Sequence, residues 1–507
     1  MDGAALGASD KVAGSIHTDP TSRRRAVIDI GSNSVRLVIF DGPTRAPFAV
    51  VNEKSLCGLG KGIGEDGLID DDAIDLALSA LKRFKRIIEA HGSPNTLAVA
   101  TAAVRTASNG GAFVAAARDL GIDVSVIDGE REAILSALGV ISFEPHASGL
   151  IGDMGGGSLE LVAVQDGALG QAASLQAGAL AMMQAADGDI SSAKKIATQM
   201  IEPLADELDL STNTLYAVGG AWRSIARLHM RLRDYPLSIL HGYEIAKSEL
   251  LDLCGFIAKQ SRESLLALDG APRKRIDTLP FAAVVLGTVI KSFKIKRVMV
   301  SAGGLREGLI YETASPERRA EDPLLVGATF FADRLGPRDD DYRLAFDLIA
   351  PLLQTDQTYN ERVTKAAAIL ADTSAFFHPD ARGAHAFDAV IRASLFGLTH
   401  AERVQLALAL YARYEGGRTE QFFDRPLALI SPEERLFAIR LGLALRLTSS
   451  LAPKAPGVLS SLRLSLDNNE IVLAADRNEG VLLLEAATKR LSALADAFGA
   501  SYRIVSG

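Results

Sequence analysis

Two short stretches carry an acid and a polar turn in the same order, 124 residues apart: DIGSNSVRLVIF, Asp29–Phe40, and DMGGGSLELVAV, Asp153–Val164. In the first the turn is Gly31, Ser32, Asn33 and Ser34; in the second it is Gly155, Gly156, Gly157 and Ser158. Glycines let backbone N–H groups converge on an anion, and consecutive N–H groups form a nest for phosphate oxygens. Serine and asparagine side chains add donors. An aspartate at the strand end, Asp29 or Asp153, can hold a cation or position water. Either turn alone is also explained as an ordinary tight turn; the repetition points to anion chemistry. The copies agree at Asp, Gly, Ser, Leu and Val and differ in kind at one place, Arg36 against Glu160.

Such groups need a scaffold. Ala26–Gly31, Val35–Asp41 and Phe48–Glu53 read as strands rich in Val and Ile, followed by an amphipathic helix over Asp71–His91. Thr96–Ala100, Val124–Ile127, Gly149–Asp153, Leu159–Val164, Ala172–Leu175, Thr214–Val218 and Val298–Ser301 read as further strands. Helices fall between them, at Gly110–Leu120, Arg131–Val140 and beyond Val218. This alternation predicts an α/β fold. The repeat extends past the hairpins: LAVATAAVR ends at Arg105 and LYAVGGAWR at Arg223, each a strand, small residues and an arginine near a helix start. The spacing predicts duplicated half-domains facing a cleft. A loose leader (1–25), two α/β units (26–145 and 146–315), a polar linker at Glu312–Pro323, a helical unit (322–449) and a small ββαβ unit (457–507) are expected, the last opened by a DNNE hairpin turn.

Composition narrows the function. The chain has 507 residues, 48% hydrophobic and 23% charged, with net charge −8. General nucleic-acid binding is not expected, and a polyanion must be met by a local basic patch. Two distant cysteines, Cys57 and Cys254, support neither a disulfide framework nor a zinc site and suit a reducing cytoplasm. No apolar run approaches a membrane span; the longest, Phe281–Ile290, stops at Lys291. Arg223, Arg227 and Arg231 share one helix face and form a candidate channel for a long polyanion, although a solvated face is the commoner use of such a stripe. Lys291, Lys294, Lys296 and Arg297 form a second basic cluster.

Six segments occur in order over about 290 residues: DIGSNSVRL, ATAAVRTASN (Ala100–Asn109), DGEREA (Asp128–Ala133), DMGGGSLE, VGG (Val218–Gly220) and LREG (Leu305–Gly308). Together they resemble the exopolyphosphatase / guanosine-pentaphosphate phosphohydrolase family of the actin / sugar kinase / heat-shock ATPase superfold. The resemblance implies two duplicated actin-like (ribonuclease H-like) α/β domains flanking a cleft, then a mostly helical HD-like domain and a small C-terminal α+β unit. It implies removal of the terminal phosphate of inorganic polyphosphate, or of the 5′-γ-phosphate of guanosine pentaphosphate, by water attack with Mg²⁺ (or Mn²⁺). On this resemblance Glu132 is the catalytic glutamate, and Asp153 and Glu160 organise metal and water. Ser32, Asn33, Ser34, Arg105, Gly156, Gly157 and Ser158 match the family's phosphate-binding positions, to which the turns themselves add Asp29, Gly31 and Gly155; the Arg223, Arg227 and Arg231 channel rests on helical spacing alone. Two departures stand out: Asp128-Gly129 where the family has Ser-Gly, and Arg131 where it has a glutamate. In the helical region, Ala371-Asp372 stands where a working HD site has its His-Asp pair, so that site is expected to be degenerate. The family likeness also implies a cytoplasmic homodimer. Alternatives are a guanosine-pentaphosphate hydrolase, a sugar or acetate kinase, and a non-catalytic polyphosphate- or alarmone-binding protein.

Overall fold

The computed structural model describes residues 24–61, 67–92, 95–335, 342–417, 423–453, 455, 457–476 and 485–506. Most of the expected leader, 1–23, lies outside them.

The first sheet runs β3-β2-β1-β4-β5, with β1 Arg25–Ile30, β2 Val35–Asp41, β3 Phe48–Ser55, β4 Asn95–Ala100 and β5 Val124–Val126. The second comprises β6 Gly149–Met154, β7 Leu159–Gln165, β8 Ala168–Leu175, β9 Thr214–Val218, β10 Glu244–Ala246 and β11 Arg297–Val300. Its order, β8-β7-β6-β9-β11-β10, repeats the first with one added edge strand. Pairing matches too: both hairpins are antiparallel, and β4 lies parallel to β1 as β9 does to β6. A register irregularity falls at Ile39/Phe40 in one copy and Val162/Val164 in the other.

The inner strands β1, β2, β6, β7 and β9 read as near-continuous apolar runs because both their faces are buried, while β3 and β8 are largely exposed. In β1, Ala26, Ile28 and Ile30 face the helices Asp71–Ala90 and Gly110–Asp119, while Val27 points to the other side. That other side is a central layer of two helices, Gly129–Phe143 and Leu305–Glu312, shared by both sheets. Ala133, Ala137 and Val140 of the first helix pack on Ile151, Val162 and Val218. Leu135 joins Leu305 and Leu309 against Val27, Val38 and Val99. The two helices touch backbone to backbone: a β-carbon on Gly139 would collide with Gly304 O, one on Gly303 with Gly139 O, and one on Gly308 with Leu135 O. This explains the glycine of the LREG segment.

Helices over Pro323–Leu335, Tyr342–Leu353, Glu361–Leu370, Arg382–Arg392, His400–Glu415 and Pro432–Leu451 form the rest of the molecule. They share one core with a terminal sheet of β12 Leu462–Asp467, β13 Glu470–Ala475 and β14 Ser501–Ser506 and with the helix Glu485–Phe498, through Leu464 and Ile471 of the sheet and Leu491 and Leu494 of the helix. Asn468 and Asn469 turn the DNNE hairpin with φ of 47° and 63°, the left-handed geometry of a tight two-residue loop. The expected linker at 312–323 is instead structured. Ser315 caps a short helix, Pro316–Arg319, and the fully buried Arg45 donates to Glu321 O at 2.7 Å and to Ser142 O. Within this segment Arg319 donates to Glu312 O at 2.7 Å and to Ala314 O at 3.0 Å, while Glu317 and Arg318 stay exposed. Among the described residues no helix is long and apolar enough to cross a membrane.

Candidate active site

A cavity of about 310 Å³ opens at the carboxyl ends of the parallel strands of both sheets. The tips of the β1–β2 and β6–β7 hairpins form its floor. Each is closed by the same hydrogen bond, Gly31 N to Ser34 O at 3.1 Å and Gly155 N to Ser158 O at 3.0 Å. The tips meet: a β-carbon on Gly157 would lie 3.1 Å from Ser32 Oγ, and one on Gly156 3.8 Å from Ser32 Cβ. Neighbouring chain braces each tip from its carbonyl side. Gly60 N donates to Ser32 O at 2.7 Å, and Leu180 N to Gly156 O at 2.9 Å. The amides of Ser32, Asn33, Gly156 and Gly157 find no acceptor among the described residues. Free, converging amides are the physical requirement for an anion nest.

Three acids stand around this floor. Asp153 and Glu160 face each other across the β6–β7 ladder. Glu132 lies in the first turn of the helix Gly129–Phe143, whose start is fixed by the Asp128 carboxylate accepting from Arg131 N at 2.7 Å. Ser136 Oγ donates to Asp153 at 2.5 Å and Ser174 Oγ to Glu160 at 3.2 Å. Burial raises all three above the ordinary carboxylate range. Glu132 is pushed up to about 7 by burial, against the pull of Arg105 and with the charge of Asp153 adding to the rise. Asp153 and Glu160 are also raised, first by burial; Glu160 rises further beside Glu132 and Asp153. Among the described residues no three His, Cys, Asp or Glu side chains converge closely enough to cage a metal. A pair such as Asp153 and Glu160 suits Mg²⁺, which takes one or two carboxylates and completes its shell with phosphate oxygens and water.

Basic groups line the opposite side. Arg306, on the second central helix, reaches Asp29 at 2.9 Å. Arg36 pairs in register with Asp29 and donates to Asn52 at 2.8 Å; burial and the neighbouring Arg306 lower its pKa to about 10. Arg223 donates to Gly219 O at 3.2 Å and lines the cavity with Lys54, Lys61, Lys274 and Arg275.

Every expected phosphate-binding residue except Arg105 lines the cavity, as do Glu132, Asp153 and Glu160. Arg105 stands behind Glu132, donating to it at 3.3 Å and to Ile127 O at 2.7 Å, so it holds the glutamate rather than forming the wall. The arginine stripe is corrected further. Only Arg223 lines the cavity; Arg227 lies beside Arg275, and Arg231 is exposed and paired with Asp269 at 3.7 Å. The stripe has left the cleft by Arg231, while Arg227 stays beside the cavity-lining Arg275. The second basic cluster sits at the wrong end of the sheet, where Arg297 begins β11 and pairs with Glu244. Arg131 turns away from Glu132 to Glu312. Lys54, Lys61, Lys274 and Arg275 line the cavity without belonging to any of the six sequence segments. Lys54 follows from the hairpin once β3 is paired in register, since it lies opposite Arg36; the Arg273–Arg275 turn gives no signal beyond its charge.

In the helical region, Asp372 pairs with Arg413 at 2.7 Å and His385 with Ser374 at 2.9 Å. His400 is buried between Tyr235 and the backbone of His241, at 2.9 and 3.0 Å.

Comparison with known proteins agrees with this geometry. Residues 38–317 match the Ppx/GppA phosphatase family, and residues 349–505 match the exopolyphosphatase C-terminal family. Retrograde regulation protein 2 of Saccharomyces cerevisiae is 28% identical in an alignment of 387 residues that covers 69% of this chain and 64%, under two thirds, of that protein. The solved exopolyphosphatase of Cytophaga hutchinsonii is 28% identical with a TM-score of 0.53, covering 57% of this chain and 97% of that one. A Ppx/GppA family member of Aquifex aeolicus shares the fold at 24% identity and a TM-score of 0.52, covering 58% of this chain and 99% of that one.

Proposed function

Because this chain belongs to the Ppx/GppA phosphatase family, we propose that it is an exopolyphosphatase, releasing orthophosphate from the end of inorganic polyphosphate. One observation carries the reading: Glu132, Asp153 and Glu160 meet the two hairpin tips in a single cavity. Phosphoryl transfer to water needs charge neutralisation, in-line positioning and an acceptor for the water's proton. The free amides at Ser32–Asn33 and Gly156–Gly157 hold the terminal phosphoryl oxygens. Arg306 and Arg36 balance the charge on the first-hairpin side. Glu132, kept in place by Arg105, orients the water and takes its proton; a carboxylate poised near neutral pH suits that task. Asp153 and Glu160 would hold Mg²⁺ (or Mn²⁺), which when bound neutralises charge on the phosphoryl oxygens.

The two sheets are read as duplicated actin-like halves, 26–145 and 146–315, and the 322–449 helices as a degenerate HD-like unit in a cytoplasmic homodimer. Hydrolysis of guanosine pentaphosphate is the second reading, since both substrates end in an anhydride-linked phosphate. A purely binding role is disfavoured by the retention of Glu132 at the floor. The test is phosphate release from long-chain polyphosphate and from guanosine pentaphosphate, with Glu132→Ala as control. Mg²⁺-dependent release from polyphosphate that the variant lacks is expected. Absence of release from both substrates would overturn the hydrolase reading.

A further inference from the structure

The floor accounts for the terminal phosphate but leaves several lining cations unused. Lys54, Lys61, Lys274 and Arg275 face the cavity, and their side chains have no hydrogen-bond or ion-pair partner among the described residues. Lys54 comes from β3 of the first sheet, in register with Arg36. Arg275 comes from the turn Arg273–Arg275 that precedes the helix Leu279–Ser292 of the second half. It leans over the start of the helix Gly220–Leu232, where a side chain on Gly220 would collide with its guanidinium. The acids nearby are already occupied. Asp277, which also lines the cavity, is held by Arg262 at 2.8 Å, and Glu53, next to Lys54 in β3, is held by Arg83 at 3.2 Å. Like charges from the two halves thus line one space. Partial burial, then Arg275, Arg36 and Arg306, lower Lys54 to about 8. Removing these cations from water costs free energy unless an anion joins them.

A second observation bears on which anion. Among the described residues no lining side chain is aromatic; the apolar ones are aliphatic, such as Leu180, Met183 and Leu305. A nucleobase gains much of its binding from stacking on aromatic rings, and this wall offers none. A phosphate chain needs only a succession of positive charges, since each internal unit carries one negative charge.

Resting on the exopolyphosphatase reading above, we propose that Lys54 and Arg275 form a second anion subsite spanning both halves, which takes the phosphate units inward of the terminal one and selects an unbranched phosphate chain over a nucleoside polyphosphate. The subsite acts on binding, and no bond is made or broken there.

The test compares Lys54→Gln, Arg275→Gln and the double variant with the wild-type chain on three substrates: polyphosphate of tens of units, tripolyphosphate and guanosine pentaphosphate. Charge-assisted contacts of this kind lead to an expected KM rise of about 10-fold for each single variant on the long chain. In the double variant the long chain loses its advantage over guanosine pentaphosphate, and Lys54→Arg restores most of it. An unchanged long-chain KM, or an equal loss on all three substrates, would overturn the subsite while leaving the hydrolase reading intact. Wild-type protein that releases phosphate from none of the three would instead overturn the reading beneath it.

Discussion

The two hairpins share strand order, turn hydrogen bond and bulge, yet their chemistry is opposite. Across from Asp29 stands Arg36; across from Asp153 stands Glu160. The helices that follow the last parallel strands reverse in the same way, one beginning with Glu132 and the other with Arg306. Each helix serves the other half's hairpin. Arg306 closes on Asp29, while the charge of Asp153 acts on Glu132. A duplicated backbone supplies a two-sided grip, and divergence at four side chains separates an acidic pole from a basic one. The asymmetry matters because hydrolysis has two unlike demands, an acceptor for a proton and a counter-charge for phosphate.

The largest expected effect breaks the acidic pole. Glu132→Gln keeps the shape and removes the proton acceptor, so kcat for phosphate release falls about 10³-fold with little change in KM. Loss of KM alone would move Glu132 to a binding role. Glu160→Gln is expected to lower kcat by about 10²-fold and to raise the Mg²⁺ concentration needed for half-maximal rate, a titration that separates it from Glu132→Gln. Making the hairpins alike tests the comparison from the basic side. Arg36→Glu is expected to raise KM for polyphosphate at least about tenfold. Tighter Mg²⁺ binding in that variant would show the hairpins to be interchangeable. Next in size is the pH profile. A base must be unprotonated to act, so kcat/KM rises with pH through about 7, the value to which burial pushes Glu132. Arg105 favours the charged form, so Arg105→Gln moves this limb to higher pH; a limb that stays put would separate Arg105 from the glutamate. The smallest effect on chemistry is expected at the helix contact. Gly308→Ala forces the central helices apart, lowering stability by about 1–3 kcal/mol in a denaturant titration.

Much of this was legible in the chain because burial on both faces writes strands plainly. The runs at 26–30 and 35–41 admit few other assignments, and Asp128 before Gly129 announces the helix that carries Glu132. The repeat exposed the Asp153–Glu160 pair, since an acid in place of Arg36 has no packing explanation. What stayed hidden depends on contacts distant in sequence. Lys54 and Arg275 become neighbours only when the two sheets are set around their shared helices. The Arg223–Arg231 stripe misled because helical spacing tells which residues share a face, not what that face meets. The segment at 312–323 misled for the same reason: its exposed polar side chains gave no sign that its backbone carbonyls are held by Arg45 and Arg319.

The glycine contact between the central helices has a mechanical consequence. With backbone against backbone at Gly139, Gly303 and Gly308, no side chains remain there to slide or repack. The separation of the two helices is therefore set by main chain rather than by side-chain packing, and with it the spacing of Glu132 on one helix from Arg306 on the other.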